Sequence, residues 1–414
     1  MQNANIDLRN MQATGAIRFP ASKSLLNRAL ILRALSDGKI HFQMENLSQD
    51  SLILIDALSN PKSEIQIGHA GTAMRFLTAF FALQKGETID PVRISGSERM
   101  HERPIEPLVD ALRALGAKIE YAQRHGFPPL VIYPKELQGL KLAMRGNVSS
   151  QFISALLLLS WKIQGGLSIQ LLPPVLSESY IDMTLSLMGK CGIRSFREGD
   201  TIQVPQQEIE NCEIAIERDW SSAAYFIALL GTQPKGEIIL SGMRLESDQG
   251  DRKFLDLLKP FGIRYTAIPG GVLVYKDDLP MPKQLSFYMG DMPDQVQTVL
   301  SLCAVVGVRC TIVGADNLKW KESNRIAAMQ KELAKMNIRL VEDDETLVLE
   351  PERMVAPAEA FATYNDHRMA MALSLFATRF PIEILQPEVV SKSFPEYWQQ
   401  LAKFGVLEFA DKNP

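Results

Sequence analysis

This 414-residue chain contains no C-x-x-C pair, no Walker-type phosphate loop, no G-x-S-x-G elbow and no long apolar run. Its four cysteines, Cys191, Cys212, Cys303 and Cys310, are scattered. They supply neither a zinc knuckle nor a disulfide framework and are expected to be reduced core residues in a cytoplasm. The longest apolar stretch, from Ala155 to Leu159 and on to Trp161, is far short of the roughly 20 residues a spanning helix needs. The start, MQNANIDLRN, lacks the apolar segment of a signal peptide, so neither export nor a membrane role is expected. Without G-x-x-x-x-G-K-[ST] a nucleotide cradle is unsupported, and without G-x-S-x-G a serine hydrolase is unsupported. Positive charge is not in excess: 44 Lys and Arg stand against 48 Asp and Glu, a net charge of −4. General electrostatic binding to nucleic acid or anionic lipid is thereby excluded, and any basic site must be local. His69 and His101 have no third ligand at metal spacing, so no metal is expected.

What is present is an ordinary globular composition, 46% hydrophobic and 22% charged, with length for about two domains. An amphipathic helix ending at Gly or Asn and running into a short apolar alternation recurs with stops at Gly116, Gly192, Gly262, Asn337 and Gly405. These stops are about 70 residues apart, and Ile53–Asn60 followed by SEIQIG is a degenerate sixth copy. Gly, or failing it Asn, supplies the left-handed position that ends a helix. A second kind of helix is apolar nearly all round and therefore buried. Six of these are expected to start near Ser24, Gly71, Ser149, Ser221, Asp294 and Asp366, with Ser, Asp or Gly as N-caps. Their starts present backbone N–H groups and positive dipole ends suited to anions. PVRISG, PLVIYP, LSIQLLP, EIIL, GVLVY, CTIVGA and TLVLEP read as strands between them. The pattern predicts an α/β protein of two similar halves.

Polar chemistry gathers at those helix starts. PASKSLLNR carries Lys23, Ser24 and Arg28; GHAGTAMR carries Gly71, Thr72 and Arg75; RMHERPI carries Arg103. NVSSQF carries Ser149, Ser150 and Gln151, and SESY carries Ser177 and Tyr180. Farther on come Asp294 in MPDQVQT; Asn317, Lys321, Glu322 and Arg325 in NLKWKESNRI; His367 and Arg368 in NDHRMA; and Lys392 in SKSFPEYW. Lys23 and Arg28 in an apolar element call for an anion to pair with them. Carboxylates mingled with cations suit acid and base groups of tuned pKa.

PASKSLLNRAL, AGTAMR, RMHERPI, VSSQF, SYIDMTL, PDQVQT, KESNRI, YNDHRMAMALSL and SKSFPEYW, in this order from Lys23 to Trp398, resemble the 5-enolpyruvylshikimate-3-phosphate synthase family. The resemblance implies two domains, each of three βαβαββ units with buried parallel helices, an inside-out α/β arrangement. It places 19–218 in the first domain and 1–18 with 219–414 in the second, with hinges near Phe19 and Arg218 and closure over ligand. It implies enolpyruvyl transfer from phosphoenolpyruvate to the 5-hydroxyl of shikimate 3-phosphate, with release of phosphate, in aromatic amino acid and chorismate biosynthesis. Carried over by motif, Lys23, Ser24, Arg28, Ser149, Ser150, Gln151, Ser177, Asp294, Asn317 and Lys321 hold shikimate 3-phosphate. Lys23, Gly71, Arg103, Gln151, Arg325, Arg368 and Lys392 hold phosphoenolpyruvate. Asp294 serves the 5-hydroxyl as base, Glu322 delivers and later removes the methylene proton, and Lys23 touches both substrates. No cofactor or metal is implied, nor a nucleic-acid or membrane partner; a cytoplasmic monomer is expected. Glyphosate is expected to compete with phosphoenolpyruvate beside Gly71. The chain departs from the family pattern at Ala21, His69, Phe76 and Asn324, where Gly, Asn, Pro and Asp are usual. The alternatives are the sister UDP-N-acetylglucosamine enolpyruvyl transferase, whose loop cysteine has no counterpart here, and an inactive metabolite-binding relative.

Overall fold

The computed structural model describes residues 2–411 apart from 61, 84–89, 148, 345 and 352, so Val148 of the VSSQF motif lies outside the described residues. The chain divides into two compact units. One, the inserted unit, is Lys23–Ile216; the other, the split unit, joins Met1–Ser22 to Glu217–Pro414. Each has its own apolar core.

The seven stretches expected to be strands are strands, and their pairing follows one plan. In the inserted unit Glu64–Gln66 pairs in parallel with Val92–Ser95, which pairs antiparallel with Leu130–Tyr133, itself antiparallel to Lys118–Tyr121. Lys141–Arg145, Leu167–Leu172, Thr201–Val204 and Phe196–Glu198 repeat the order and the directions. So do Gln284–Tyr288, Arg309–Val313, Thr346–Glu350 and Arg339–Asp343 in the split unit. The two parallel strands of each sheet bracket one buried helix, Gly71–Ala82, Ser150–Ser160 or Val296–Val306. The fourth copy is Thr14–Arg18, Gly236–Ser241, Gly271–Lys276 and Ile263–Ile268, with Trp220–Gly231 as its buried helix. Here the entire inserted unit interrupts the crossover between the first strand and the helix. The amino-terminal segment belongs with the carboxyl-terminal residues because Thr14–Arg18 and Gln2–Asp7 find their ladder partners there. The first crossing falls at Ser22–Lys23 rather than before Phe19, because Phe19 is buried with its ring 5.9 Å from both Phe226 and Phe394.

The buried helices owe their position to composition. All residues from Ser222 to Gly231, and from Val296 to Val305, are buried, so these helices have no solvent face. Several helix details differ from expectation. The cap of Trp220–Gly231 is Asp219, whose carboxylate accepts from the Ser222 N–H at 3.0 Å; a charged acceptor suits the positive helix end better than Ser221. Asp294 caps nothing: it sits in a 3₁₀ turn, Pro293–Gln295, and its carboxylate turns to cations. Gly71 is the first helical residue rather than a cap. Ser24 lies inside Lys23–Leu35. Ser149 and Asp366 do cap, accepting from the Gln151 and Arg368 N–H groups. The FLDLLKPFG helix is broken into Phe254–Leu257 and Lys259–Phe261, because Pro260 has no N–H to continue it. Gly116, Gly192, Gly262 and Asn337 have positive φ as expected, whereas Gly405 does not. A Cβ at Gly405 would lie 2.6 Å from the Asp7 carbonyl oxygen, so close backbone approach requires glycine there.

Candidate functional site

In the inserted unit, helix starts converge on Arg28. This guanidinium is 2% exposed, and among the described residues no carboxylate faces it. Its Nε donates to Thr184 Oγ1 at 2.7 Å, Nη1 to the Ser24 carbonyl at 2.8 Å, and Nη2 to Ser154 Oγ at 3.0 Å and the Tyr180 carbonyl at 3.3 Å. The Phe76 and Tyr180 rings lie 5.5 and 6.0 Å from its Cζ. Burial pulls its pKa down to about 10, which still leaves the cation charged at neutral pH. Four of the five N–H donors a guanidinium owns are thus used, and one Nη1–H is left for a ligand.

The other residues of this unit follow from the same helices. Lys23 Nζ is 2.9 Å from Asp50 Oδ2. Gln151 Nε2 donates to Thr72 Oγ1 at 3.3 Å, tying the starts of Ser150–Ser160 and Gly71–Ala82 together. Ser150 is buried, and Ser177, with φ of 57°, precedes Glu178–Lys190 without a side-chain cap bond. Arg103 is buried and lies over Gly71, where a Cβ would meet its Nη1 at 2.5 Å. Arg75, also buried, donates to the Gly71 carbonyl at 3.1 Å. Phe76 is directed to Arg28, while Phe80 packs edge-on against Phe81, centroids 5.2 Å apart. His69 Nδ1 lies 2.9 Å from Ser97 Oγ, and His101 Nε2 3.0 Å from Ser95 Oγ. Among the described residues no three His, Cys, Asp or Glu side chains are grouped to hold a metal ion.

The split unit builds its cluster around Arg325, first residue of Arg325–Ala334 and 1% exposed. Arg325 Nη1 donates to Asp294 Oδ1 at 2.9 Å, Nη2 to Glu322 Oε2 at 2.8 Å, and Nε to Asp366 Oδ2 at 2.7 Å. Burial disfavours this cation, yet Asp366, Glu322 and Asp294 outweigh burial and raise its pKa. Arg368 Nη2 reaches Asp294 Oδ2 at 2.9 Å, and Lys321 Nζ lies 3.3 Å from Asp294 Oδ1. Burial would raise the Asp294 pKa, but Arg368, Lys321 and Arg325 hold it well below the usual carboxylate range. Lys392 Nζ donates to the Asn365 carbonyl. Asn317 Oδ1 is buried and has no hydrogen-bond partner among the described residues, an acceptor ready for a ligand hydroxyl.

The sequence reading missed several groups here. Asp50 and Asp251 stand outside the motifs, and Asp366 reads only as a helix cap; in the fold all three accept from polar side chains. Asp251 is buried, accepts from Ser221 Oγ and from Gln295 Nε2 at 2.9 Å, and burial pushes its carboxyl up despite nearby Arg368. Asp366 stands two residues before Arg368 in NDHR, which makes its cap legible but not its bond to Arg325. Asp50 lies 27 positions from Lys23, and no spacing rule connects them.

Each unit therefore presents buried cations and helix starts with polar acceptors between them, the equipment of an α/β enzyme that handles multiply charged anions. The chain belongs to the EPSP synthase (3-phosphoshikimate 1-carboxyvinyltransferase) family, which matches residues 53–401, and is a transferase. A 3-phosphoshikimate 1-carboxyvinyltransferase of Bacteroides fragilis is 39% identical over 400 residues, covering 95% of this chain and 96% of its own. One of Nitrosomonas europaea is 33% identical, covering 96% and 98%. In fold, the chain is similar to EPSP synthase from Acinetobacter baumannii, TM-score 0.77 at 21% identity, covering 99% of this chain and all of the other. The enolpyruvyl transferase NikO from Streptomyces tendae has TM-score 0.72 at 16% identity, covering 99% of each chain.

Proposed function

We propose that this protein transfers the enolpyruvyl group of phosphoenolpyruvate to the 5-hydroxyl of shikimate 3-phosphate with release of phosphate. The observation that carries the reading is Arg325 bound at once to Asp294 and Glu322, the two carboxylates an addition–elimination needs. Glu322, as the acid, protonates the methylene carbon; the hydroxyl attacks the resulting cationic carbon and Asp294 takes its proton. Phosphate then leaves as Glu322 removes a proton from the new methyl group. Without substrate both carboxylates are engaged by Arg325, and Asp294 also by Arg368 and Lys321, which makes Asp294 a poor base. A phosphoenolpyruvate anion competes for Arg325 and Arg368, and drawing those cations away returns proton affinity to the carboxylates.

The residue assignment takes Lys23, Gly71, Arg103 and Gln151 with Arg325, Arg368 and Lys392 for phosphoenolpyruvate. It takes Lys23, Ser24, Arg28, Ser149, Ser150, Gln151, Ser177, Asp294, Asn317 and Lys321 for shikimate 3-phosphate. Arg28, a buried cation without a carboxylate, and Asn317, with its unpartnered oxygen, support it. The sister reaction at UDP-N-acetylglucosamine would need an activated thiol. Burial, with Cys212 beside it, instead pushes the Cys191 thiol up to about 12, and Cys303 is raised as well. The four sheets of one topology, two in each unit, support an internal repeat, and the count of three units per domain rests on the resemblance. The net charge of −4 speaks against general electrostatic binding to nucleic acid or anionic membranes.

Phosphate release with both substrates present, and none with either alone, is the expected result; no release would overturn the reading. Activity is also expected to survive exhaustive chelation, because the carboxylates of the cluster, Asp294, Glu322 and Asp366, are engaged by Arg325 rather than grouped for a metal ion. Loss restored by one divalent ion would refute this. Gly71→Ala would press its methyl on the Arg103 guanidinium. It should raise the KM for phosphoenolpyruvate severalfold and weaken glyphosate by a larger factor, measured as inhibition constants. Unchanged values for both would show that Arg103 swings clear without consequence.

A further inference from the structure

Tyr364 and Asn365 both hold left-handed backbone conformations, each with φ of 54°. A residue with a Cβ resists this conformation, and successive instances persist only where the surroundings impose them. Here they are imposed from the far end of the Arg325 helix. Glu332 lies seven residues after Arg325, about two turns on, and therefore on the same face. It is 1% exposed; its Oε1 accepts from the Tyr364 hydroxyl at 2.6 Å, and its Oε2 from the Ala362 N–H at 3.0 Å and Lys335 Nζ at 2.7 Å. Lys335 Nζ also donates to the Ala360 carbonyl at 2.7 Å. On its other side the segment is fixed to strand Ile382–Leu385, the Phe361 N–H donating to the Glu383 carbonyl at 2.8 Å and the Leu385 N–H to the Phe361 carbonyl at 2.9 Å.

Directly beyond this clamp come the groups of the cluster. The Asn365 carbonyl accepts from Lys392, Asp366 accepts from Arg325, and Arg368 reaches Asp294. One helix face thus grips the turn at two points, Arg325 through Asp366 and Glu332 through Ala362 and Tyr364. A slip that preserved one grip would break the other.

We propose that Glu332 and Tyr364 are positioning residues for phosphoenolpyruvate: by holding the 364–365 turn they set Arg325, Arg368 and Lys392 relative to one another. This rests on the assignment of those three cations to phosphoenolpyruvate. Neither Glu332 nor Tyr364 touches the substrate. Losing the hydroxyl lets the turn relax, which rotates the Asn365 carbonyl away from Lys392 and shifts the Asp366 carboxylate under Arg325. Arg28, Ser24 and Ser149, assigned to shikimate 3-phosphate alone, sit on other elements and are unaffected, and Asp294 keeps Lys321, so the loss should fall on phosphoenolpyruvate.

The experiment compares Tyr364→Phe, Glu332→Gln and the double variant with the wild-type full chain. Phosphate release is followed while each substrate is varied, shikimate 3-phosphate binding is measured alone by calorimetry, and thermal melting is recorded. Each single variant should raise the KM for phosphoenolpyruvate about tenfold, the scale of one hydrogen bond to a charged group. Binding of shikimate 3-phosphate should stay at the wild-type value. The double variant should be worse than the poorer single one by less than the two losses combined, because both weaken the Tyr364–Glu332 contact. A lowered melting temperature with an unchanged KM, or equal losses for both substrates, would overturn the proposal. Should Glu332→Gln fail to fold, Tyr364→Phe, which deletes one hydroxyl, decides alone. A wild-type protein that releases no phosphate would overturn the functional reading itself, whatever the variants do.

Discussion

Glu322→Gln should lower turnover by about 10²- to 10⁴-fold, the usual contribution of a general acid–base group, while shikimate 3-phosphate still binds. The amide keeps the shape of the carboxyl and can still accept from Arg325 Nη2, which Glu322 Oε2 does at 2.8 Å, so the cluster should remain assembled. What the amide lacks is a proton it can give and take back at the methylene carbon. Single-turnover measurement separates the two consequences: binding of the first substrate by calorimetry, and phosphate formation by rapid quench. Turnover within a few-fold of wild type would remove Glu322 from the proton path and leave it as a partner of Arg325.

Arg325→Met should destabilise the split unit by about 3–5 kcal/mol, because it leaves buried carboxylates without their shared cation. Asp366 would keep the Ser323 hydroxyl and the Arg368 N–H, and Asp294 would keep Arg368 and Lys321, so the structure is expected to weaken rather than collapse. The loss has a pH signature. The Asp294 pKa in the folded protein lies below its unfolded value, so the stability it contributes is fully present above the unfolded pKa and disappears as pH falls through the folded one. The variant forfeits part of that contribution at neutral pH, where Asp294 is ionised in both states. At low pH protonation removes it from wild type too. The gap between wild type and variant in denaturant melts should therefore be widest near pH 7 and narrow below about pH 4. A gap that stayed constant or widened with acid would show that lost packing, and not the carboxylates, accounts for the effect.

Much of this protein was legible from residue order alone. Buried helices announced themselves because residues such as Ser222 to Gly231 offer no polar stripe for a solvent face, and the apolar alternations had to be strands. Lys23 and Arg28 could be marked as anion seekers, since a cation within an apolar helix start is expensive without a partner. Local rules failed where a side chain had a better offer at long range. Asp294 reads as an N-cap, yet three cations outbid a helix end; Gly405 reads as a left-handed stop, yet it is glycine because the chain at Asp7 comes too close for a Cβ. The breaking of the 254–261 helix at Pro260 was in plain view in the sequence and was overridden by its apolar period. The sequence by itself thus determined the elements, the repeat and the family, because these depend on composition and on spacings of a few residues. Only the tertiary structure decided that Lys23 answers to Asp50, that Arg325 joins Asp294, Glu322 and Asp366, and that Glu332 holds the turn at Tyr364. Those pairings span up to 41 positions in the chain, and the electrostatics of a buried charge depend on which groups the fold brings within hydrogen-bond reach.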